Sequence, residues 1–386
     1  MIPYGRQSIN EEDIKAVEEV LRSDFLTQGP AVPRFENTVS DYCGAKHAVA
    51  VNSATSALHV ACLALGLGKG DSLWTSPITF VASANCGLYC GADIDFVDID
   101  PDTYNMSSSK LEEKLIQAKK NNKLPKIVIP VHYAGQSCDM KRIYELSQKY
   151  GFSIIEDASH AIGSKYLGKP VGSCRFSNIT VFSFHPVKII TTAEGGLATT
   201  NSVELASKME LFRSHGITRS PELMTKESEG GWYYQQIALG FNYRMTELQA
   251  ALGTSQMQRL DNFVNQRHQL QERYTDLLKG LPLVLPHQSE DSWSALHLYP
   301  VQLNLDEIGK SHQQVFLELR DNELGVNLHY IPVHMQPYYQ DMGFKLGDFP
   351  QSELYYSRAI SIPLHHGLAF AEQDKIANIL QRALSN

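Results

Sequence analysis

The chain has 386 residues, 43% of them hydrophobic, and a formal net charge of -8. That length supplies a sizeable core over roughly two to three domains. The acidic balance argues against a nucleic-acid-coating surface, which needs clustered Lys and Arg, but still allows a local pocket for a small anionic substrate. Residues Met1 to Asn10 lack a basic segment followed by an apolar core, and no later run approaches ~18 uninterrupted apolar residues. The expectation is a cytoplasmic protein with no membrane or nucleic-acid partner. Its six cysteines form no CxxC pair and are expected as buried thiols rather than a disulfide framework.

In chain order, residues 1–10 read as an irregular arm. An Asn10 cap, early acids and apolar residues at Ile14, Val17, Val20 and Leu21 then start a helix, which Leu26-Thr27-Gln28-Gly29-Pro30 breaks. From Lys46 to about Thr200, short β-rich runs alternate with helical patterns. Strands are expected at 47–52, 72–75, 94–98, 127–132, 152–156, 179–183 and 197–200. Helices are expected at 56–65, 81–88, 110–119, opened by a Ser109/Glu112 capping box, and 140–150. Strand, crossover helix and next strand repeated this way imply a mostly parallel sheet flanked by helices on both faces, with ligands collecting at the carboxyl ends of the strands.

Val203 to Arg213 reads as a further helix and 218–232 as a polar, mobile loop. Helical periodicity over 246–279 carries the chain into a second unit. There a strand at 297–303, a helix at 313–319, a strand at 326–331 and a closing helix at 372–384 form a smaller α+β domain. The expected division is therefore 1–245 and 246–386.

Several motifs fall on strand ends. Val181-Phe182-Ser183-Phe184-His185-Pro186-Val187-Lys188 places one lysine just after an alternating apolar strand, among Val187, Ile189 and Ile190. Desolvation leaves such an amine free to attack a carbonyl, the requirement for Schiff-base chemistry. Asn52-Ser53-Ala54-Thr55-Ser56 turns a strand into a helix whose N–H groups and hydroxyls suit a phosphate. Asp157 closes an apolar strand with a carboxylate able to keep a ring nitrogen protonated, and Phe80 can cover a planar ring. Asn242 and Arg244 precede the long helix, where they can meet an anion. Phosphate cradle, acid, aromatic face and lysine together meet the needs of pyridoxal phosphate (PLP).

The same residues carry a family resemblance. Ser183 to Lys188 with Ala193-Glu194-Gly195-Gly196, Glu156 to Ala161, Leu26 to Gly29 and Asn242 to Met245 resemble the DegT/DnrJ/EryC1/StrS sugar aminotransferases over nearly the whole chain. The resemblance implies an aspartate-aminotransferase-like fold (PLP fold type I). It implies Lys188 as the Schiff-base lysine, Asp157 on the pyridinium nitrogen, Ser183, Thr55 and Ser56 on the phosphate, and Phe80 stacked on the ring. Asn242 would reach the phosphate of a neighbouring subunit, so a homodimer with shared sites is expected. His160 stands where many members have glutamine beside the cofactor's phenolic oxygen. Tyr4, Gln28, His215, His329 and Tyr330 are expected nucleotide-sugar contacts.

Within the family, Phe212 to Gly216, Val131 to Gly135, the Phe184-His185-Pro186-Val187-Lys188 stretch with its continuation to the glycines, and Val326 to Pro332 most resemble the branch serving pseudaminic acid synthesis. That branch aminates C4 of a UDP-linked 2-acetamido-2,6-dideoxy-4-ketohexose, with L-glutamate expected as donor. A ketosugar dehydratase on this fold carries histidine in place of the lysine, which Lys188 opposes. Another UDP- or dTDP-ketosugar substrate is the other alternative, and a non-catalytic sensor with a degenerate pocket is a third. Dinucleotide oxidoreduction is disfavoured because Gly66-Leu67-Gly68-Lys69-Gly70 lacks the GxGxxG spacing. No metal site is expected, since Pro332 lies between His329 and His334 and rules out a helical zinc pair.

Overall fold

A computed structural model describes residues 1–385. Its centre is a seven-stranded sheet. In chain order the strands are β1 (His47–Val51), β2 (Ser72–Thr75), β3 (Asp93–Phe96), β4 (Ile127–Ile129), β5 (Ser153–Asp157), β6 (Ile179–Ser183) and β7 (Gly196–Thr200). Their spatial order is β1-β7-β6-β5-β4-β2-β3. Only β7 runs against its neighbours, antiparallel to both β1 and β6, and the remaining pairings are parallel.

The alternation along these strands builds a core on each face. Ile127, Ile129, Ile155, Ile179 and Val181 pack with Leu58 and Ala61 of helix α3 (Ala54–Ala64) and Cys86 of α4 (Ala82–Tyr89). Val128 and Ile154 point the other way, onto Leu111 and Leu115 of α5 (Ser108–Lys120) and Ile143 and Leu146 of α6 (Met140–Tyr150). The carboxyl ends of β1, β5 and β6 open at one edge of this sandwich, so Ser53, Asp157 and Ser183 lie along a single crevice.

A smaller unit packs a three-stranded antiparallel sheet, Leu283–Val284, Tyr299–Leu303 and Ala359–Ile362, against helices His312–Asp321 and Phe370–Leu384. The N-terminus belongs here too. Ile2–Pro3 pairs in parallel with Leu324–Gly325, and Ile2 enters the core of this unit.

Sequence expectation and structure differ at several places. Helix α2 (Ala31–Cys43) was not expected; its first N–H groups, Ala31 and Val32, donate to the Glu247 carboxylate at 2.6 and 3.2 Å, so its cap comes from a distant part of the chain. Helix α5 is capped by Ser107, whose hydroxyl accepts from Lys110 N, and not by a Ser109/Glu112 box. Beyond α7 (Val203–Arg213), the run over 246–279 is two helices, α8 (Glu247–Met257) and α9 (Leu260–Leu277), parted at Gln258-Arg259 without Gly or Pro to mark the break.

The strand expected at 326–331 does not form: pairing ends at Leu324–Gly325, and beyond a bridge from Asn327 to Ser361 the backbone leaves the ladder and turns into the crevice. Helix Pro350–Arg358 and strand Ala359–Ile362 were likewise not expected, the strand being four apolar or small residues without alternation to mark it. Apolar packing passes from the large core to the small one inside α9, between Val264 and Leu270, so α8 packs with the first unit, beyond residue 245.

Helix α1 (Glu11–Leu21) is held by one buried carboxylate. Asp13 closes a capping box with Asn10 and accepts from Ser255 Oγ and Gln256 Nε2, both at 2.6 Å, and from Arg259. Replacing Asp13 with Ala strands these donors and should cost about 3 kcal/mol. The expected readout is a fall of several degrees in Tm, and an unchanged Tm would contradict this role for the carboxylate.

Candidate active site

The crevice is a cavity of about 960 Å³ between the strand ends and segments of the smaller unit. On one side, Ser53 caps α3, its hydroxyl accepting from Ser56 N at 3.1 Å, while Ser56 Oγ donates to Asn52 Oδ1 at 2.7 Å. Both polar groups of Ser56 are thus engaged within the turn. The N–H groups of Ala54 and Thr55, at the first two helical positions, have no partner within the helix and stand with its positive end at the cavity. Gly196 makes the approach of β7 to this turn possible, because a Cβ there would collide with the backbone of Ser53 and Ala54.

Asp157 sits 4% exposed at the end of β5. Its Oδ2 accepts from Ser83 Oγ at 2.6 Å and its Oδ1 from Ser159 N at 3.1 Å. Ser83 is in turn bonded to Thr79 Oγ1 at 2.7 Å. Lys188 follows β6 through a turn in which its N–H donates to the His185 carbonyl at 2.9 Å. Ile189 and Ile190 anchor that turn in the core, and Lys188 lines the cavity. Burial pushes its amine down to about 8, and the Asp157 carboxylate partly offsets this.

The facing wall comes largely from the smaller unit. Tyr330 OH and His160 Nε2 lie 3.0 Å apart, and His329 Nδ1 is 2.9 Å from Ser361 Oγ. His160 packs against His297 with ring centroids 4.5 Å apart. Burial, then the Lys188 charge, holds His329 down to about 3. His160 and His297 are held well below the ordinary range, first by burial. This wall is therefore made of neutral imidazoles at neutral pH, polar without adding positive charge. His160 Nδ1 and His297 Nδ1 are buried without a protein partner.

Ten of the thirteen residues expected at the site line this cavity: Tyr4, Thr55, Ser56, Phe80, Asp157, His160, Ser183, Lys188, His329 and Tyr330. Phe80 is 61% exposed at its rim, so its ring is accessible to a planar ligand. Gln28, His215 and Asn242 are exposed and lie outside the cavity; Gln28 borders a separate hollow of about 210 Å³ with Arg213 and Arg244. Sequence reasoning did not single out Ser83, Glu194, His297 or Asn327, which the fold brings to the cavity or its carboxylate. Ser83 had one legible signal, its place one turn after Phe80.

The donor set fits PLP. Unpaired helix N–H groups suit its phosphate, a buried carboxylate suits a protonated ring nitrogen, the exposed Phe80 ring suits a planar face, and a desolvated amine suits its aldehyde. Fold and site together define a PLP-dependent aminotransferase of fold type I.

The chain belongs to the DegT/DnrJ/EryC1/StrS aminotransferase family, which it matches over residues 7–381. It is 38% identical to the spore coat polysaccharide biosynthesis protein SpsC of Bacillus subtilis, across 97% of this chain and 95% of that one. It is 36% identical to the UDP-4-amino-4,6-dideoxy-N-acetyl-β-L-altrosamine transaminase of Campylobacter jejuni (strain 81-176), across 99% and 98%. Helicobacter pylori PseC, an aminotransferase of pseudaminic acid biosynthesis, superposes with a TM-score of 0.90 at 33% identity over 99% of both chains. The PLP form of a putative sugar aminotransferase from Streptococcus pneumoniae, Spr1654, superposes at 0.87 with 28% identity over 100% of both chains. The protein is a PLP-dependent nucleotide-sugar aminotransferase. Among its described residues no helix is long and apolar enough to cross a membrane.

Three outcomes follow from this geometry. Gly196→Ala should push the α3 turn away and weaken PLP affinity by about tenfold or more, with the circular dichroism spectrum retained; unchanged affinity in equilibrium dialysis would contradict the cradle. In apoprotein, the rate at which Lys188 reacts with PLP should rise with pH through about 8 and then level off, because only the neutral amine attacks. Asp157→Asn removes the charge that raises this value and should move the inflection to lower pH, whereas a shift upward would contradict the assigned coupling.

Proposed function

We propose that the enzyme moves the amino group of L-glutamate to C4 of UDP-2-acetamido-2,6-dideoxy-β-L-arabino-hex-4-ulose, giving UDP-4-amino-4,6-dideoxy-N-acetyl-β-L-altrosamine for pseudaminic acid biosynthesis. The observation that carries this reading is full-length likeness to the Campylobacter transaminase and PseC, in a chain whose lysine and buried carboxylate share one cavity. The likeness to SpsC is of similar extent, so another ketosugar is the competing reading.

Bound PLP supplies an aldehyde that takes up the amino group and a ring that withdraws electrons from the carbon losing its proton. In this reading Lys188 Nζ would hold the cofactor's aldehyde carbon and, as a free amine, would take the proton from the glutamate α-carbon and return one to C4 of the sugar. Its amine is suited to this because burial has brought its affinity for protons close to the working range. Asp157, fixed by Ser83 and Ser159, holds the ring nitrogen protonated. Ala54, Thr55 and Ser183 hold the phosphate, and Ser56 braces their turn through Asn52. Phe80 would cover the ring, and His160, held by Tyr330, would meet its phenolic oxygen.

Tyr4, His329 and Tyr330 offer contacts to the nucleotide sugar from the opposite wall. Gln28, His215 and Asn242, exposed and outside the cavity of their own chain, are assigned to the cavity of a second copy in a homodimer.

Enzyme loaded with pyridoxamine phosphate and offered epimeric UDP-4-ketosugars alongside a dTDP-4-ketosugar should regenerate PLP fastest with the β-L-arabino UDP substrate. Faster turnover of another sugar would replace the proposed substrate. Lys188→Arg should make no amino sugar with any of them, and retained turnover would remove the lysine from the mechanism.

A further inference from the structure

A second hollow, of about 500 Å³, lies where the N-terminal arm meets the start of α9 and the loop after strand Ala359–Ile362. It shares no lining residue with the active-site cavity, although the arm enters both, Tyr4 lining one and Arg6 the other. Charge in its wall is of one sign. Arg6 and Arg259 supply guanidinium groups, His365 and His366 supply imidazoles, and no carboxylate lines the wall. In a chain of net charge -8 such a wall favours an anion. Arg259 Nη2 donates to the Ser8 carbonyl at 3.2 Å and to Asp13, whereas Arg6 is exposed and has no ion pair among the described residues.

A third cation stands behind the wall. Arg267 is 1% exposed, and its Nη1 donates to the carbonyls of Leu296, His297 and Leu364 at 3.0, 3.3 and 2.9 Å. It has no carboxylate partner among the described residues, and its Nε is buried unpaired. Carbonyl dipoles alone leave such a charge without a counter-ion, a costly state for a buried cation. Leu364 leads directly into His365, so this charge lies beside the hollow. His365 is itself 5% exposed with Nε2 unpartnered, and His366, stacked on Phe263 at 3.8 Å, has Nδ1 unpartnered. Burial, then Arg267, holds these imidazoles down to about 4 and about 3. Glu372 also acts on His365, but its carboxylate accepts from Ala369 N at 2.9 Å as the cap of helix Phe370–Leu384.

We propose that this hollow binds a small phosphate-bearing anion. Such a ligand would take charge-assisted hydrogen bonds from Arg6 and Arg259, whose planar forks match phosphate oxygens, and would give Arg267 the counter-charge that the chain does not. Its volume falls within the range of small-molecule sites, roughly 300–1,000 Å³, and exceeds what a bare phosphate fills. The rest of the wall is polar and neutral. Gln7, Asn262 and Gln266 bring amides and Ser8 a hydroxyl, groups suited to the hydroxyls of a phosphate ester. The expected occupant is therefore a phosphate ester of a polyhydroxy compound, with free phosphate as the other source of the same chemistry. None of the residues assigned to transamination takes part.

The test titrates PLP-loaded, full-length enzyme in a calorimeter at fixed ionic strength, with ribose 5-phosphate and with inorganic phosphate. Saturable binding of both is expected, tighter for the ester, and Arg6→Gln should weaken each by about tenfold. Arg6 is exposed and unpaired, so this variant should keep its circular dichroism spectrum and its Tm. Hydrogen exchange followed by mass spectrometry then locates the ligand: exchange should slow in residues 6–9 and 365–367 and stay unchanged in 54–56. Tighter binding of inorganic phosphate with the same protection would support the site and make free phosphate its occupant. No saturable binding of either probe, full affinity in Arg6→Gln, or protection confined to the active-site cavity would overturn the proposal.

Discussion

The structure turns on holding one half-buried amine in the same cavity as one buried carboxylate. Lys188 gives up part of its affinity for protons because the core around Ile189 and Ile190 excludes solvent, and Asp157 keeps that loss moderate. Either group alone would be costly to withdraw from water. Together, with Ser83 and Ser159 fixing the acid, they form a site in which an amine is reactive near neutral pH and a carboxylate keeps a fixed direction.

The sheet supplies the positions. Parallel β5 and β6 are adjacent, so Asp157 and the turn leading to Lys188 emerge at the same edge. The reversed strand β7 lies between β6 and β1, and Gly196 at its start leaves space for the capped turn before α3. The smaller unit then closes the crevice from above with Tyr4, Asn327, His329 and Tyr330. Its contribution is a wall of uncharged imidazoles and phenols, which leaves Lys188 as the amine whose protonation the pocket controls.

What could be read from the sequence followed how local its causes were. The seven strands and the helices between them were legible because alternation and amphipathic spacing are properties of a few neighbouring residues. Lys188, Asp157, Thr55 and Phe80 were legible because each follows directly from a strand end. Helix α2 was not, since Pro33 and the β-branched Thr38 and Val39 weaken its pattern and its cap is Glu247, far along the chain. The break between α8 and α9 was hidden because no Gly or Pro marks it, and Arg259 is drawn instead to Asp13. His297 and Asn327 reach the cavity only through the packing of the smaller unit, which no short motif records. Gln28, His215 and Asn242 were expected at the site on resemblance, and a single chain leaves them outside its own cavity.

The most direct measurement is to reduce the PLP-loaded enzyme with borohydride, digest it, and identify the lysine that carries the cofactor. A single modified peptide containing Lys188 is predicted. Label on any other lysine, or none retained after reduction, would contradict the account at its centre.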